Sequence, residues 1–208
     1  LTMRMMDRPI RPLWPAGFLW DVQVQAMTLS SDQENDADVL AINAASAALM
    51  LSTLPFQGPI GAVRVGYVGD EFVVNPTTSQ RAESQLDLIV VGTKAAITMV
   101  ECSAKEFPED KMVEALEFAH PQIKKLCEAQ ERLVSEVGVQ KMAVEAQPED
   151  AALLEQIRST YTDALHTAHT TFGRKREMAD RQKAVIKQIV ADLAPADAEG
   201  EVDAARLE

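Results

Sequence analysis

The chain has 208 residues, 47% hydrophobic and 25% charged, enough for one real core and a smaller second unit and too apolar for a disordered tail. Its net charge of -12 opposes long-range attraction to nucleic acid, so any phosphate contact has to come from local basic patches. No segment approaches the roughly 20 uninterrupted apolar residues of a membrane span or the pattern of an export signal, and Cys102 and Cys127 have neither metal-ligand nor disulfide spacing, which points to a reducing, cytoplasmic compartment.

The first predicted element is dense. Arg4 precedes the run Asp7-Arg8-Pro9-Ile10-Arg11-Pro12-Leu13-Trp14-Pro15, and spacings of four and three put Arg4, Arg8 and Arg11 on one face of any helix through them. Guanidinium forks suit phosphate oxygens, while Pro9 and Pro12 restrict the helix to a short, irregular piece. Two readings stand for these arginines: phosphate contact, or ion pairs with carboxylates such as Asp7 and Asp21. The chain starts at Leu1 and enters this run directly, so it reads as a piece of something longer.

Residues 22–30 alternate apolar and polar side chains, predicting a half-buried strand. Asp32 and Asn35 offer caps for a following helix through Val39, Ile42, Ala45, Ala48 and Leu49, in which Ser46 reads as a packed hydroxyl, with no base beside it to make a nucleophile. Val63, Val65 and Tyr67 pair with Phe72 and Val74 across a Gly69-Asp70 turn, and a second hairpin joins residues 86–91 to 96–102 through Gly92-Thr93-Lys94. A long helix over 109–137 buries Met112, Leu116, Ala119, Ile123, Leu126 and Leu133, with a kink at Pro121 near His120. Both cysteines read as buried small side chains. After Gly138 the strand signals stop. One helix uses Leu154, Ile157, Tyr161, Leu165 and Ala168, another Met178, Val185, Ile189 and Leu193, and residues 194–208 form an acidic, alanine-rich tail. The expected class is α+β: a sheet with packed helices over 1–137, a linker over 138–150, and a small all-α domain over 151–208.

The opening run, Asn43-Ala44-Ala45-Ser46-Ala47-Ala48-Leu49, the stretch Leu54-Pro55-Phe56-Gln57-Gly58-Pro59-Ile60-Gly61-Ala62-Val63-Arg64-Val65-Gly66-Tyr67, and Leu86-Asp87-Leu88-Ile89-Val90-Val91-Gly92-Thr93 together resemble the polynucleotide phosphorylase family. The resemblance implies that 1–137 are the rear part of that enzyme's first ribonuclease-PH-like core, a partial mixed sheet, and that the helical residues are its linker domain. It further implies membership in a phosphorolytic 3'-to-5' exoribonuclease, a nucleotidyltransferase in which inorganic phosphate attacks the terminal phosphodiester of RNA and releases nucleoside diphosphates. Such enzymes turn over mRNA as ring-shaped homotrimers, with Mg2+ held by ligands outside this segment and with partners in degradation complexes. In the family's second core a serine pair contacts phosphate, where this chain has Ala37 and Asp38. An Asp-x-Lys stands where this chain has Asp87-Leu88-Ile89. The resemblance therefore implies a core with no catalytic residues and no metal ligands of its own, in which Arg4, Arg8 and Arg11 face RNA and phosphate. The alternative is a non-enzymatic scaffold or weak RNA-binding module.

Two further clusters bear on binding. Arg174-Lys175-Arg176 with Arg181, Lys183 and Lys187 form a basic helix that could touch RNA, but Glu177 and Asp180 interleave and no aromatic side chain accompanies them for base stacking, so a solvated face is expected. His166 and His169 with Asp163 could approach one metal ion from a single helix, a weak site, and read as polar surface residues.

Overall fold

Four strands form where Val- and Ile-rich segments are separated by turns that reverse the chain. In the computed structural model, which describes residues 2–145 and 150–193, β1 (Gly61–Val68) and β2 (Glu71–Val74) meet across Gly69 and Asp70, both at positive φ as a two-residue hairpin requires. β3 (Leu86–Gly92) and β4 (Ile97–Ala104) make the second hairpin, and the order β2-β1-β3-β4 is antiparallel throughout, with Val63 opposite Val90 and Arg64 opposite Ile89. The helices are α1 (Thr2–Ile10), α2 (Ala37–Leu51), α3 (Thr78–Glu83), α4 (Glu109–Val137), α5 (Ala151–Thr170) and α6 (Lys175–Leu193). The class is α+β. The chain divides into two compact units, 1–147 and 148–208.

In the first unit, strand alternation sends successive side chains to opposite faces of the sheet. Ala62, Ile89, Val91 and Met99 pack with Met5, Ile10, Val39, Ile42, Ala45 and Leu49 of α1 and α2. Val63, Val65, Leu88 and Val90 pack with Ala115, Ala119, Ile123 and Cys127 of α4. A Cβ at Gly61 would stand 2.8 Å from the Ile123 carbonyl oxygen, so glycine lets α4 lie directly on β1. A buried bridge spans the layers: Ser46 Oγ donates to Gln130 Oε1 at 2.7 Å and accepts from the Ile60 N–H at 3.0 Å, while Gln130 Nε2 donates to the Ile60 carbonyl at 2.8 Å. Gly138, at φ 73°, ends α4 in the left-handed conformation. Just beyond it the Lys141 ammonium donates to the carbonyls of Leu49 and Ser52, both at 2.8 Å, at the end of α2.

Four expectations are corrected. Residues 22–30 form no strand: Val22 and Val24 are half-buried against the core and Gln23 and Gln25 exposed, as alternation demands, but no other described segment supplies a hydrogen-bonding ladder for their backbone. Asp32 does not cap α2 but closes a turn by accepting the N–H groups of Glu34 and Asn35, both at 2.9 Å. The buried stripe of α4 runs through Ala115, Ala119, Ile123 and Cys127 to Gln130, leaving Leu133 41% exposed; small side chains, not the largest apolar ones, allow close contact with the sheet. Cys102 is exposed, because β4 borders solvent. α4 itself runs on through Pro121, and α3, missed in the sequence, starts at a reciprocal Thr77–Gln80 capping box.

The second unit pairs α5 with α6 antiparallel, since Tyr161 Oη meets Asp192 at 2.8 Å and His169 meets Gln182 at 3.1 Å. Tyr161, Ala168 and Ile189 are buried, whereas Leu154 remains 41% exposed. The acidic tail at 194–208 lies outside the described residues.

Candidate nucleic-acid interface

α1 is amphipathic: Met5, Pro9 and Ile10 are buried, while Arg4, Arg8 and Arg11 are exposed. Pro9 stands in its last turn and Pro12 opens the 3-10 turn Arg11–Leu13, so the helix stays short. The three guanidiniums do not act alike. Arg11 Nη2 contacts the two carboxylate oxygens of Asp7 at 2.8 and 2.9 Å. Arg8 reaches Glu101 on β4 at 3.2 Å, and Asp21 pairs with neither. Arg4 has no carboxylate within ion-pair distance among the described residues. Exposed pairs of this kind contribute about 0–1 kcal/mol, which leaves Arg8 and Arg11 exchangeable for a better anion. Arg4 and Arg11 line an open groove of about 770 Å³ that also holds Trp14, Phe18 and Trp20. Trp14 stacks on Phe18 at 5.1 Å between ring centroids, and Phe18 meets Trp20 at 6.1 Å. Arg8 lies outside that groove lining.

A second constellation went unrecognised in the sequence. Arg64 on β1 is only 5% exposed, and its guanidinium bonds Asp87 on β3, Asp38 on α2 at 2.5 Å, and approaches Asp36 at 3.6 Å. Arg81 on α3 bonds Asp36 and, at 2.9 Å, the other oxygen of Asp87. The structure thus joins Asp38 to Asp87 through cations from neighbouring elements, and Asp36, at the cap position of α2, gives its carboxylate to arginines instead of capping. Three carboxylates against two guanidiniums leave the knot with one excess negative charge. Ile89, where the resemblance points to a lysine, is 4% exposed in the apolar core opposite Arg64. In the sequence only the resemblance pointed here, through Asp38 and through Asp87-Leu88-Ile89; Arg64, 23 residues before Asp87, and Arg81, six before it, carry no pattern that links them to those aspartates.

Burial pushes the Cys127 thiol up to about 11, with Glu131 adding to the shift, and burial also raises Cys102. His169 hydrogen-bonds Gln182, and no group of three or more metal-capable side chains occurs among the described residues.

Fold and site together define an α+β core with an arginine-lined aromatic groove on its first helix. Residues 1–55 match the model for the 3' exoribonuclease family, domain 1, and residues 58–122 that for domain 2, so the chain belongs to the 3' exoribonuclease family. It is similar to polyribonucleotide nucleotidyltransferase of Rhodopirellula baltica, 44% identical over 195 residues, 94% of this chain and 26% of that protein. That of Thermus thermophilus is 43% identical over 206 residues, 98% of this chain and 29% of that protein. The chain therefore spans about a quarter of the length of these curated relatives and matches one segment of them. Rice (Oryza sativa) Rrp46 superposes with a TM-score of 0.45 at 15% identity over 49% of each chain.

Proposed function

We propose that this chain acts as part of a phosphorolytic 3'-to-5' exoribonuclease that converts RNA to nucleoside diphosphates with inorganic phosphate, and that the segment itself is catalytically inert. The observation that carries the second half is the arginine–aspartate knot: Asp36, Asp38 and Asp87 are all engaged by Arg64 and Arg81, and the excess negative charge repels phosphate. The same engagement leaves these carboxylates unsuited to Mg2+, in keeping with a reading in which the metal of the whole enzyme is held by residues outside this segment. What the segment supplies is substrate positioning. Arg4, Arg8 and Arg11 hold RNA or phosphate, Arg4 and Arg11 from within the aromatic groove and Arg8 from the β4 side after releasing Glu101. The setting is a cytoplasmic homotrimer, and the names of the relatives and of the family support the reaction class.

The test is phosphate-dependent release of nucleoside diphosphate from poly(A), run with this chain by itself and with the whole enzyme that contains it. The expected result is silence from the chain and activity from the whole enzyme. Arg8→Glu with Arg11→Glu in the whole enzyme should lower phosphorolysis and flatten its salt dependence. Activity from the chain by itself would overturn the inert reading. Unchanged turnover in the double variant would leave the segment a scaffold.

A further inference from the structure

The turn between α5 and α6 is fastened on both sides of a side chain that touches almost nothing. Thr171 N–H and Thr171 Oγ1 both donate to the Thr167 carbonyl, at 3.0 and 2.7 Å. Arg181 Nη2 donates to the Thr171 carbonyl at 2.6 Å, and the Arg174 N–H donates to Glu177 Oε2 at 3.0 Å. Gly173 fits beneath these groups, since a Cβ there would stand 3.2 Å from both Arg181 Nη2 and Glu177 Oε2. Between the anchors Phe172 is 96% exposed. An aromatic ring held out by a fixed turn forgoes the burial that such rings ordinarily gain.

The residues that follow are cations. Arg174, Lys175 and Arg176 are exposed, and Lys183 and Lys187 continue the face of Arg176 at helical spacing. None of the five has an ion-pair partner among the described residues. Glu177 is committed to the turn and Asp192 to Tyr161, which leaves Asp180 as the opposing charge on that stripe among the described residues of α6. The expectation that no aromatic side chain accompanies this basic run is therefore corrected: Phe172 lies two residues before Arg174, outside the helix's periodic pattern, and the structure adds that it is exposed on a fastened turn.

We infer that the α5–α6 turn is a second contact for single-stranded RNA, with Phe172 stacking on one base, Arg174, Lys175 and Arg176 meeting the adjoining phosphates, and Lys183 and Lys187 extending the track. An unpaired strand is specified because a paired base has no free face for the ring, and a stacking platform beside cations is how sequence-tolerant single-strand binding is built. The inference rests on RNA being the substrate, as proposed above.

The test is anisotropy of a short labelled oligo(A) with the whole 208-residue chain over a salt series, with polyphosphate as a probe of charge without bases. Five phosphate contacts predict a slope of about -3.5 in log affinity against log salt, from roughly -0.7 per contact on single strands, of which Arg174, Lys175 and Arg176 supply about -2. Phe172→Ala should weaken oligo(A) about tenfold, and Phe172→Tyr should restore it, with polyphosphate binding unmoved by either. Combined Arg174→Ser, Lys175→Ser and Arg176→Ser should remove most of the slope. All these side chains are exposed, so circular dichroism should be unaltered. Unchanged affinity in Phe172→Ala, an unchanged slope in the triple variant, or no binding by the parent chain each overturns the inference. Arg4→Ala with Arg11→Ala separates it from the core reading: loss only there would sustain the groove and sink the turn, and loss only in the turn variants would do the reverse.

Discussion

The two units differ in how far their basic residues are paired with carboxylates. In the first, Arg64 and Arg81 are locked among Asp36, Asp38 and Asp87, and Arg8, Arg11, Lys94 and Lys111 each have a carboxylate partner. In the second, Arg174, Lys175, Arg176, Lys183 and Lys187 have none among the described residues. A basic residue is most readily available to an anion where no carboxylate of its own fold has reached it, and one in an exposed pair, as Arg8 and Arg11 are, is released more easily than one in a buried pair. Where carboxylates converge from several elements, as at the start of α2 and on β3, guanidiniums are consumed as structure; where a helix hairpin has little to bury, they stay at the surface.

Arg64→Met should show the largest effect. Asp38 and Asp87 would face each other with only Arg81 left to balance Asp87, and breaking a buried pair costs about 3–5 kcal/mol. Because both aspartates keep some contact with solvent, the lower end, about 3 kcal/mol, is expected from urea unfolding. Arg176→Met is the control from the other unit and should stay within about 0.5 kcal/mol of the parent while weakening oligo(A) binding. Equal stability losses in the two variants would erase the contrast. Ser46→Ala comes next. It strands the Ile60 N–H and one acceptor of Gln130 inside the core, at about 1–3 kcal/mol, and should lower the unfolding midpoint of the first unit without moving the helix signal of the second.

Much of the fold could be read from the residues because its signals are local. The Gly69-Asp70 hairpin, the Val- and Ile-rich strands and the limits of α4 follow from turn chemistry and periodicity within short windows. The segment at 22–30 misled for a physical reason: alternation reports which side chains face inward, and Val22 and Val24 obey it, but a strand exists only when another backbone accepts its hydrogen bonds. The site was less readable. Arg4, Arg8 and Arg11 could be picked out by spacing, yet nothing in that spacing told Arg4, with no carboxylate partner among the described residues, from Arg8, whose partner Glu101 lies on β4. The Arg64 knot was hidden because it is assembled by tertiary contact between residues that no periodic pattern links. Phe172 stands two residues before Arg174 and was passed over because it lies outside the helical periodicity; its exposure on a fastened turn is what the sequence did not display.

The smallest expected effect is alkaline, and it compares the units by a different chemistry. In the second unit the Tyr161 hydroxyl donates to Asp192, and that bond, helped by burial and by the carboxylate charge, raises the phenol above its ordinary 10. A group whose pKa is higher in the folded state stabilises the fold below its unfolded value, and the contribution is lost as pH climbs through the folded one. The helix signal of the hairpin should therefore hold up to about pH 10, then decline, and Tyr161→Phe should give a slightly less stable hairpin without that decline. In the first unit the buried Cys127 thiol is raised, mainly by burial, so its alkaline loss begins near 9 and runs to about 11. Following unit-specific unfolding by amide exchange across this range should show the first unit weakening at lower pH than the second. A reversed order would mean that the Tyr161–Asp192 bond does not hold the hairpin in solution.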